Sequence, residues 1–292
     1  MTIPRTTMLA CLLAGLTGAV HAEGGVTRLW ETEARLRNPE SIVPAADGER
    51  YYVSNVDGEP NAKDGKGFIS LLDKNGHILK LEWVSGLNAP KGLARVGERL
   101  YVSDIDELVE IDTRSGTIVK RYPAEGAQFL NDVAADAAGN VYVSGMLTNR
   151  IYRLHDGTFD KWLESPELAN PNGVTVRGDQ LLVGAWGVMT PGGFATKVPG
   201  HVKVVSLATK QIRDFGGSEP VGNLDGIEPM ADGSVLVTDW MAGGLMRVTA
   251  DGKVHVLDKL AQGSADLGYV PATGTVLVPM MNNGTVIAFH LD

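Results

Sequence analysis

Six copies of one segment follow each other along this chain, and their regular spacing restricts the fold to a repeat architecture. Each copy begins with a polar residue ahead of an apolar strand pattern, and successive polar residues stand 51, 40, 41, 53 and 41 positions apart. A period near 40 residues, with turn signals such as Asp47-Gly48 inside each copy, is typical of blades around an axis. We therefore predict an all-β fold, a six-bladed β-propeller. The six polar residues, called ring residues below, are Glu40, Lys91, Asn131, Asn172, Asp225 and Asp266.

The sixth copy is one strand shorter than the others. A complete copy contains four short strands, A to D from the axis outwards, whereas the sixth copy contains three before Asp292. Residues 25–36 include the strand-favouring Val26 and Trp30, although Arg28 and Leu29 interrupt the alternation of the two faces. We expect this segment to complete the sixth blade, because closing the ring removes an exposed sheet edge.

Residues 1–22 have the pattern of a signal peptide. Arg5 precedes a short apolar run, and the small residues Val20 and Ala22 precede the expected cleavage site. A run of about 13 apolar residues is too short to span a bilayer, so we expect no membrane insertion after cleavage. A lipid anchor at Cys11 is less favoured, because too few apolar residues precede this only cysteine. We predict a periplasmic or secreted chain of residues 23–292 that forms a single propeller domain.

The charge of the chain narrows its partners. The formal net charge is −9, and its lysines and arginines are scattered along the sequence. Nucleic acids and anionic membranes are bound through basic patches, so neither is expected as a partner. A small molecule is the expected ligand.

The ring residues are expected to lie together at one end of the central tunnel. Strand A leads away from that end and strand B returns to it, so the loops between strands B and C lie on the same face. The two long steps in the repeat come from such loops in blades 1 and 4, which are opposite each other. Long loops on a rigid scaffold often carry function, but these loops can also simply cap the tunnel.

The ring chemistry indicates a cation. Glu40 and Asp225, with the amide oxygens of Asn131 and Asn172, form an all-oxygen set that suits Ca²⁺ better than Zn²⁺. The alternative is a water-filled tunnel in which Lys91 pairs with Glu40 or Asp266. No histidine of the mature chain falls at a ring position.

Four of the ring motifs resemble those of a known family. The motifs NPESI, FLNDV, PNGV and NLDGI surround Glu40, Asn131, Asn172 and Asp225. They are similar to the metal-ligand motifs of the family that contains senescence marker protein, gluconolactonase and the luciferin-regenerating enzyme. The resemblance implies a six-bladed propeller in which Glu40, Asn172 and Asp225 hold one divalent cation, most often Ca²⁺, with Mg²⁺, Mn²⁺ or Zn²⁺ as options. It places Asn131 on the metal or the substrate, and it implies hydrolysis of lactones or related esters with Asp225 as general base.

The chain also departs from that family. In the lactonases of that family, Gly-Pro and an aromatic residue usually follow the glutamate. In this chain Ser41 and Ile42 follow Glu40. Lys91 and Asp266 are not part of the family's pattern. We expect Lys91 to act in catalysis or as the counter-charge of an anionic ligand, and Asp266 to contact substrate.

Two tryptophans complete the predicted site. Trp186 and Trp240 each follow the end of a B strand, where they can wall a substrate pocket or pack under the loops. The rival function is a non-catalytic periplasmic propeller that binds a small ligand or a partner protein, since fold does not decide function. Condensation chemistry, as in strictosidine synthase-like propellers, is less favoured because those proteins use other pocket residues.

Overall fold

A computed structural model describes residues 25–217 and 219–292 and confirms the predicted propeller. The predicted signal peptide lies outside the described residues. Six four-stranded antiparallel sheets form the blades. In four of them the strands are consecutive in sequence, whereas a hairpin interrupts blade 4 and both ends of the described chain contribute to blade 6. Two single-turn 3₁₀ helices, at Met146–Thr148 and Pro166–Leu168, are the helical segments of this part of the chain, and neither is long enough to cross a membrane.

The strands are numbered in chain order. Blade 1 contains β2 (Pro39–Pro44), β3 (Arg50–Asn55), β4 (Gly67–Asp73) and β5 (Ile78–Leu87); blade 2 contains β6 (Pro90–Val96), β7 (Arg99–Asp104), β8 (Glu107–Asp112) and β9 (Thr117–Pro123); blade 3 contains β10 (Leu130–Ala135), β11 (Val141–Gly145), β12 (Arg150–His155) and β13 (Thr158–Glu164). Blade 4 contains β14 (Pro171–Arg177), β15 (Gln180–Ala185), β18 (Val202–Ser206) and β19 (Ile212–Asp214); blade 5 contains β20 (Leu224–Pro229), β21 (Val235–Asp239), β22 (Gly244–Val248) and β23 (Val254–Asp258); blade 6 contains β24 (Gly268–Val270), β25 (Thr275–Met280), β26 (Thr285–Leu291) and β1 (Val26–Glu31). The loop between β15 and β18 carries an extra hairpin of β16 (Gly187–Met189) and β17 (Thr196–Pro199).

The ring of blades closes through β1. This strand pairs with β26, beginning with Val26 opposite Leu291, and becomes the outer strand of blade 6 as predicted. Its register shifts between Arg28 and Trp30, so the broken alternation in the sequence corresponds to a β-bulge. Trp30 then packs against Tyr51 of blade 1, with ring centroids 6.3 Å apart.

The hydrophobic core lies between neighbouring blades. The B strands are buried along almost their whole length, because a blade covers each of their faces. One cluster joins Ile69 and Val84 of blade 1 to Leu100, Val102 and Ile111 of blade 2. Similar clusters at the other junctions hold the A strands in place around the axis.

Candidate metal centre and ligand pocket

A β-bulge at the start of strand A positions the ring residue in each of the first five blades. In blade 1, Pro39 pairs with Asn55 and Ile42 pairs with Val53, so three steps along β2 match two along β3. Such a bulge holds an extra residue and redirects side chains out of the ladder. Equivalent shifts follow Pro90, Leu130, Pro171 and Leu224.

Hydroxyl groups from one blade fix the ring residue of the next. Ser103 at the end of β7 donates a hydrogen bond to the carbonyl oxygen of Asn131. Ser144 at the end of β11 donates to the carbonyl oxygen of Asn172 at 2.6 Å and accepts from the backbone N–H of Asp132 at 2.9 Å. The Val-Ser pattern that ends these B strands therefore holds the backbone of the ring.

The sixth innermost segment has a different register from the predicted one. Ser264 bridges Met280 at the place where strand A of the other blades makes its first pair. The ring position is therefore Ala265, whose carbonyl oxygen accepts a hydrogen bond from Thr238 Oγ1 at 2.8 Å. The assignment of Asp266 to the ring is wrong by one residue.

Asp266 belongs instead to a second layer directly beneath the ring. Its Oδ2 accepts a hydrogen bond from Ser41 Oγ at 2.5 Å, and its carboxylate faces a separate cavity of about 190 Å³ toward the opposite end of the tunnel. The layer is narrow: a Cβ added to Gly173 would stand 1.9 Å from the carbonyl oxygen of Asp225. The members of this layer are Ser41, Gly92, Asp132, Gly173, Gly226 and Asp266.

Four ring side chains present buried oxygen atoms without hydrogen-bond partners. These atoms are Glu40 Oε2, Asn131 Oδ1, Asn172 Oδ1 and Asp225 Oδ1. Buried acceptors are almost always paired, so four orphans at matching positions of four blades need a common explanation. They are the same four oxygen donors that the sequence predicts as metal ligands.

The amide groups are oriented with their oxygens free. Asn131 Nδ2 lies 3.7 Å from Met146 Sδ, to which it donates a weak hydrogen bond. The side-chain oxygens of Asn131 and Asn172 have no hydrogen-bond partner, so both remain available for a cation. Within residues 25–217 and 219–292 no cluster of three or more His, Cys, Asp or Glu side chains has the spacing of a metal site. A cation at the ring would therefore need the two amide oxygens as well as the two carboxylates.

The electrostatics of the two carboxyl groups favour a positive partner. Burial raises the pKa of Glu40 well above its usual range, and the nearby Asp225 and Asp266 raise it further. Burial likewise raises the pKa of Asp225, followed by the effect of Asp266. Both charged forms are therefore costly unless a cation neutralises them. Oxygen donors of this type suit a hard divalent ion.

Lys91 lies in the pocket beside this set but makes different contacts from those predicted. Its Nζ donates to the carbonyl oxygens of Pro60 at 2.8 Å and Ala89 at 2.9 Å, and stands 4.5 Å from the centroid of the Phe129 ring. Its side chain is 2% exposed, and burial lowers its pKa to about 8 against the opposing effect of Glu40. Lys91 therefore does not form the ion pair with Glu40 or Asp266 that the alternative expected.

The ring opens into a pocket of about 250 Å³ with aromatic walls. Trp186 and Trp240 line it, with ring centroids 6.1 Å apart. Trp186 Nε1 donates to the carbonyl oxygen of Phe194 at 2.7 Å, and Phe194 lies 5.8 Å from Phe129 between ring centroids. The sequence reasoning did not single out Phe129, Met146, Phe194, Met281 and Asn282, which also line the pocket.

A sequence signal existed for one of these residues. Phe129 stands two positions before the ring residue Asn131, directly ahead of strand A. Phe194 comes from the hairpin of blade 4, whose course no repeat pattern defines. A larger open groove of about 630 Å³, which runs between Leu163 and Arg213 at the outer edge, contains none of the ring residues.

The fold and its ring define the class of protein as a six-bladed β-propeller with a polar site at one end of the tunnel. No protein-family model and no curated protein sequence matches the chain. It is similar to the solved structure of a streptogramin B lyase, with a TM-score of 0.61 and 14% identity over 91% of this chain and 98% of that chain.

Two further similar structures are of virginiamycin B lyase from Staphylococcus aureus. A catalytically inactive histidine-to-alanine variant with quinupristin has a TM-score of 0.61 and 15% identity over 92% of this chain and all of that chain (100%). The selenomethionine-substituted enzyme has a TM-score of 0.58 and 14% identity over 90% and 99% of the two chains. Identities this low show a shared propeller fold alone.

Proposed function

We propose that this protein is a divalent-metal-dependent hydrolase of a small lactone or ester, of the kind found in the family of senescence marker protein and gluconolactonase. The supporting observation is the set of four buried, unpartnered oxygens on Glu40, Asn131, Asn172 and Asp225. Buried oxygen acceptors that have no hydrogen-bond partner suit a hard cation such as Ca²⁺. The proposal includes the periplasmic or secreted location predicted from residues 1–22.

The residues of the site divide the chemical work between them. The bound cation would supply Lewis acidity toward a substrate carbonyl and offset the charge that develops on its oxygen. Asp225 is the candidate base for the proton of the attacking water, because Glu40 is the one other carboxylate among the described residues that line the pocket. Lys91 uses two of its three donors on carbonyl oxygens, which leaves one for a substrate oxygen. The aromatic walls exclude bulk water from the reacting atoms.

A second candidate is a binding protein that does not turn its ligand over. One observation favours this candidate. In the described pocket lining, Lys91 is the one ionisable group that is not among the proposed metal ligands and could act as a base. The inactive variant of virginiamycin B lyase has a histidine replaced by alanine, whereas the described part of this chain places no histidine in the pocket lining.

Metal analysis and a hydrolysis panel test the proposal together. We expect the purified mature chain to bind one divalent cation, measured by calorimetry after chelation and dialysis. The metal-loaded protein should hydrolyse members of a lactone and ester panel, and Asp225→Asn should lower kcat more than it raises KM. Cation binding without turnover of any panel member would favour the binding protein. Absence of cation binding would refute the metal site itself.

A further inference from the structure

The walls of the pocket are unusually poor in polar groups for a site that would hold a sugar lactone. Above the ring, the lining is formed mainly by Phe129, Met146, Trp186, Phe194, Trp240 and Met281. Aromatic and thioether side chains offer broad contact surfaces with few hydrogen bonds. A ligand with an apolar body fits such walls.

The polar groups that do reach the pocket are largely engaged by the protein. Trp186 Nε1 donates to the carbonyl oxygen of Phe194 at 2.7 Å. Asn282 Nδ2 donates to the carbonyl oxygen of Gln262 at 3.0 Å, and Lys91 donates twice to carbonyl oxygens. Several hydroxyls on one ligand would therefore enter without partners, and a buried hydroxyl without a partner is costly.

We infer that the pocket selects lactones or esters with an aromatic or alkyl body and disfavours polyhydroxylated sugar lactones. This inference rests on the proposed hydrolase function and specifies its substrate class. It assigns the carbonyl end of the ligand to the ring and the apolar body to the aromatic walls. Phe194, carried by the hairpin of blade 4, becomes a specificity-determining residue.

A matched pair of six-membered lactones tests the inference with the metal-loaded protein. Dihydrocoumarin has a fused benzene ring, and glucono-1,5-lactone is of similar size but carries hydroxyl groups. We expect kcat/KM for dihydrocoumarin, after subtraction of the spontaneous rate, to exceed that for gluconolactone by at least about 30-fold. Equal or preferred turnover of gluconolactone would overturn the inference and leave the hydrolase function standing.

Two variants of one hairpin locate the selectivity. Phe194 is 40% exposed and Val198 is 42% exposed, so replacing either with alanine should leave the fold intact. Phe194→Ala should lower kcat/KM for dihydrocoumarin about five- to tenfold, because it removes a wall. Val198 does not line the pocket, so Val198→Ala should change kcat/KM for dihydrocoumarin by less than about twofold. Equal effects of the two variants would contradict the assignment of Phe194.

Binding of inert analogues separates failure of the inference from failure of the proposed function. Chroman and 1,5-anhydroglucitol are the cyclic ethers that correspond to the two lactones and cannot be hydrolysed. If no member of the lactone and ester panel is turned over, the hydrolase function fails, and calorimetry with these ethers decides the ligand class. Tighter binding of chroman supports the inference. Equal or tighter binding of anhydroglucitol, or no binding of either ether, overturns it.

Discussion

Replacing one ring carboxylate by its amide should change stability in opposite directions with and without metal. Asp225 and Glu40 are both buried with unpartnered oxygens, and Asp225 adds to the effect of burial in raising the pKa of Glu40, so the metal-free protein pays an electrostatic cost for this pair. Asp225→Asn keeps the shape and removes one charge. In EDTA the variant should therefore melt at a higher temperature than the wild type. In Ca²⁺ the melting temperature of the variant should rise less than that of the wild type, because one negatively charged ligand has been removed.

The magnitudes follow from charge burial and mass action. Relief of one unpaired buried charge is worth about 1 to 3 kcal/mol. With an unfolding entropy of about 2.1 cal/mol/K per residue, this raises the melting temperature of a chain of this length by about 2 to 5 °C. Metal at about 1,000 times its Kd adds about 4.1 kcal/mol, or about 7 °C, to the wild type. A tenfold weaker variant would gain about 4 °C, and a still weaker one less.

Asp104→Asn is the matched control. Asp104 is as buried as Asp225, but its oxygens accept hydrogen bonds from the backbone N–H groups of Asn88 and Ala89 at 2.8 Å. This substitution should lower the melting temperature equally in EDTA and in Ca²⁺. Calorimetric scans of the three proteins in both buffers give the result. The reasoning is refuted if Asp225→Asn behaves like the control, or if its gain from Ca²⁺ equals that of the wild type.

Three further outcomes are expected. Lys91→Met removes the ammonium group beside the four proposed ligand oxygens and should tighten Ca²⁺ binding about ten- to a hundredfold in calorimetry; unchanged or weaker binding would refute this prediction. Trp30→Ala should lower the melting temperature by several degrees because it weakens the closing strand, whereas Leu29→Ala in the adjacent bulge, 50% exposed, should have little effect; similar shifts for both would contradict the closure role. The pKa of Asp112 is lowered to about 2, chiefly by a hydrogen bond from the backbone N–H of Ser115. Its stabilising contribution is thus complete above the ordinary pKa of 3.8 and is lost as pH falls through about 2. The melting difference between wild type and Asp112→Asn should shrink across that window, and a constant difference from pH 6 to pH 2 would count against it.

The fold was accessible from the sequence because each blade repeats the same local pattern. The period, the turn signals and the missing strand define six sheets and their closure before any contact is known. Even the irregular Arg28-Leu29 pair corresponds to a real bulge. Ring residues Glu40, Asn131, Asn172 and Asp225 were predictable for the same reason, since a fixed place in a repeat is a fixed place around the axis.

The sixth ring position was missed because the prediction followed side-chain polarity and not strand register. A large aliphatic residue stands two positions after the ring residue in the first five copies, for example Ile42 after Glu40 and Val174 after Asn172. Applied to the sixth copy, that rule selects Leu267 and therefore Ala265. The wall residues other than Trp186 and Trp240 were missed for another reason. They come mostly from loops, whose course depends on tertiary packing and not on periodicity.

The second layer beneath the ring, to which Gly92, Gly173 and Gly226 belong, forms the floor of the pocket. The backbones of neighbouring blades approach so closely there that a methyl group on Gly226 would stand 2.2 Å from the backbone nitrogen of Leu267. The ring pocket and the cavity on the other side of this layer are separate, so a ligand would leave the ring pocket through the opening by which it entered. In the proposed hydrolase, substrate and product would share this one opening beneath the blade 4 hairpin. For the proposed hydrolase we expect competitive inhibition by product. We also expect the maximal turnover rate to be limited by product release through this opening.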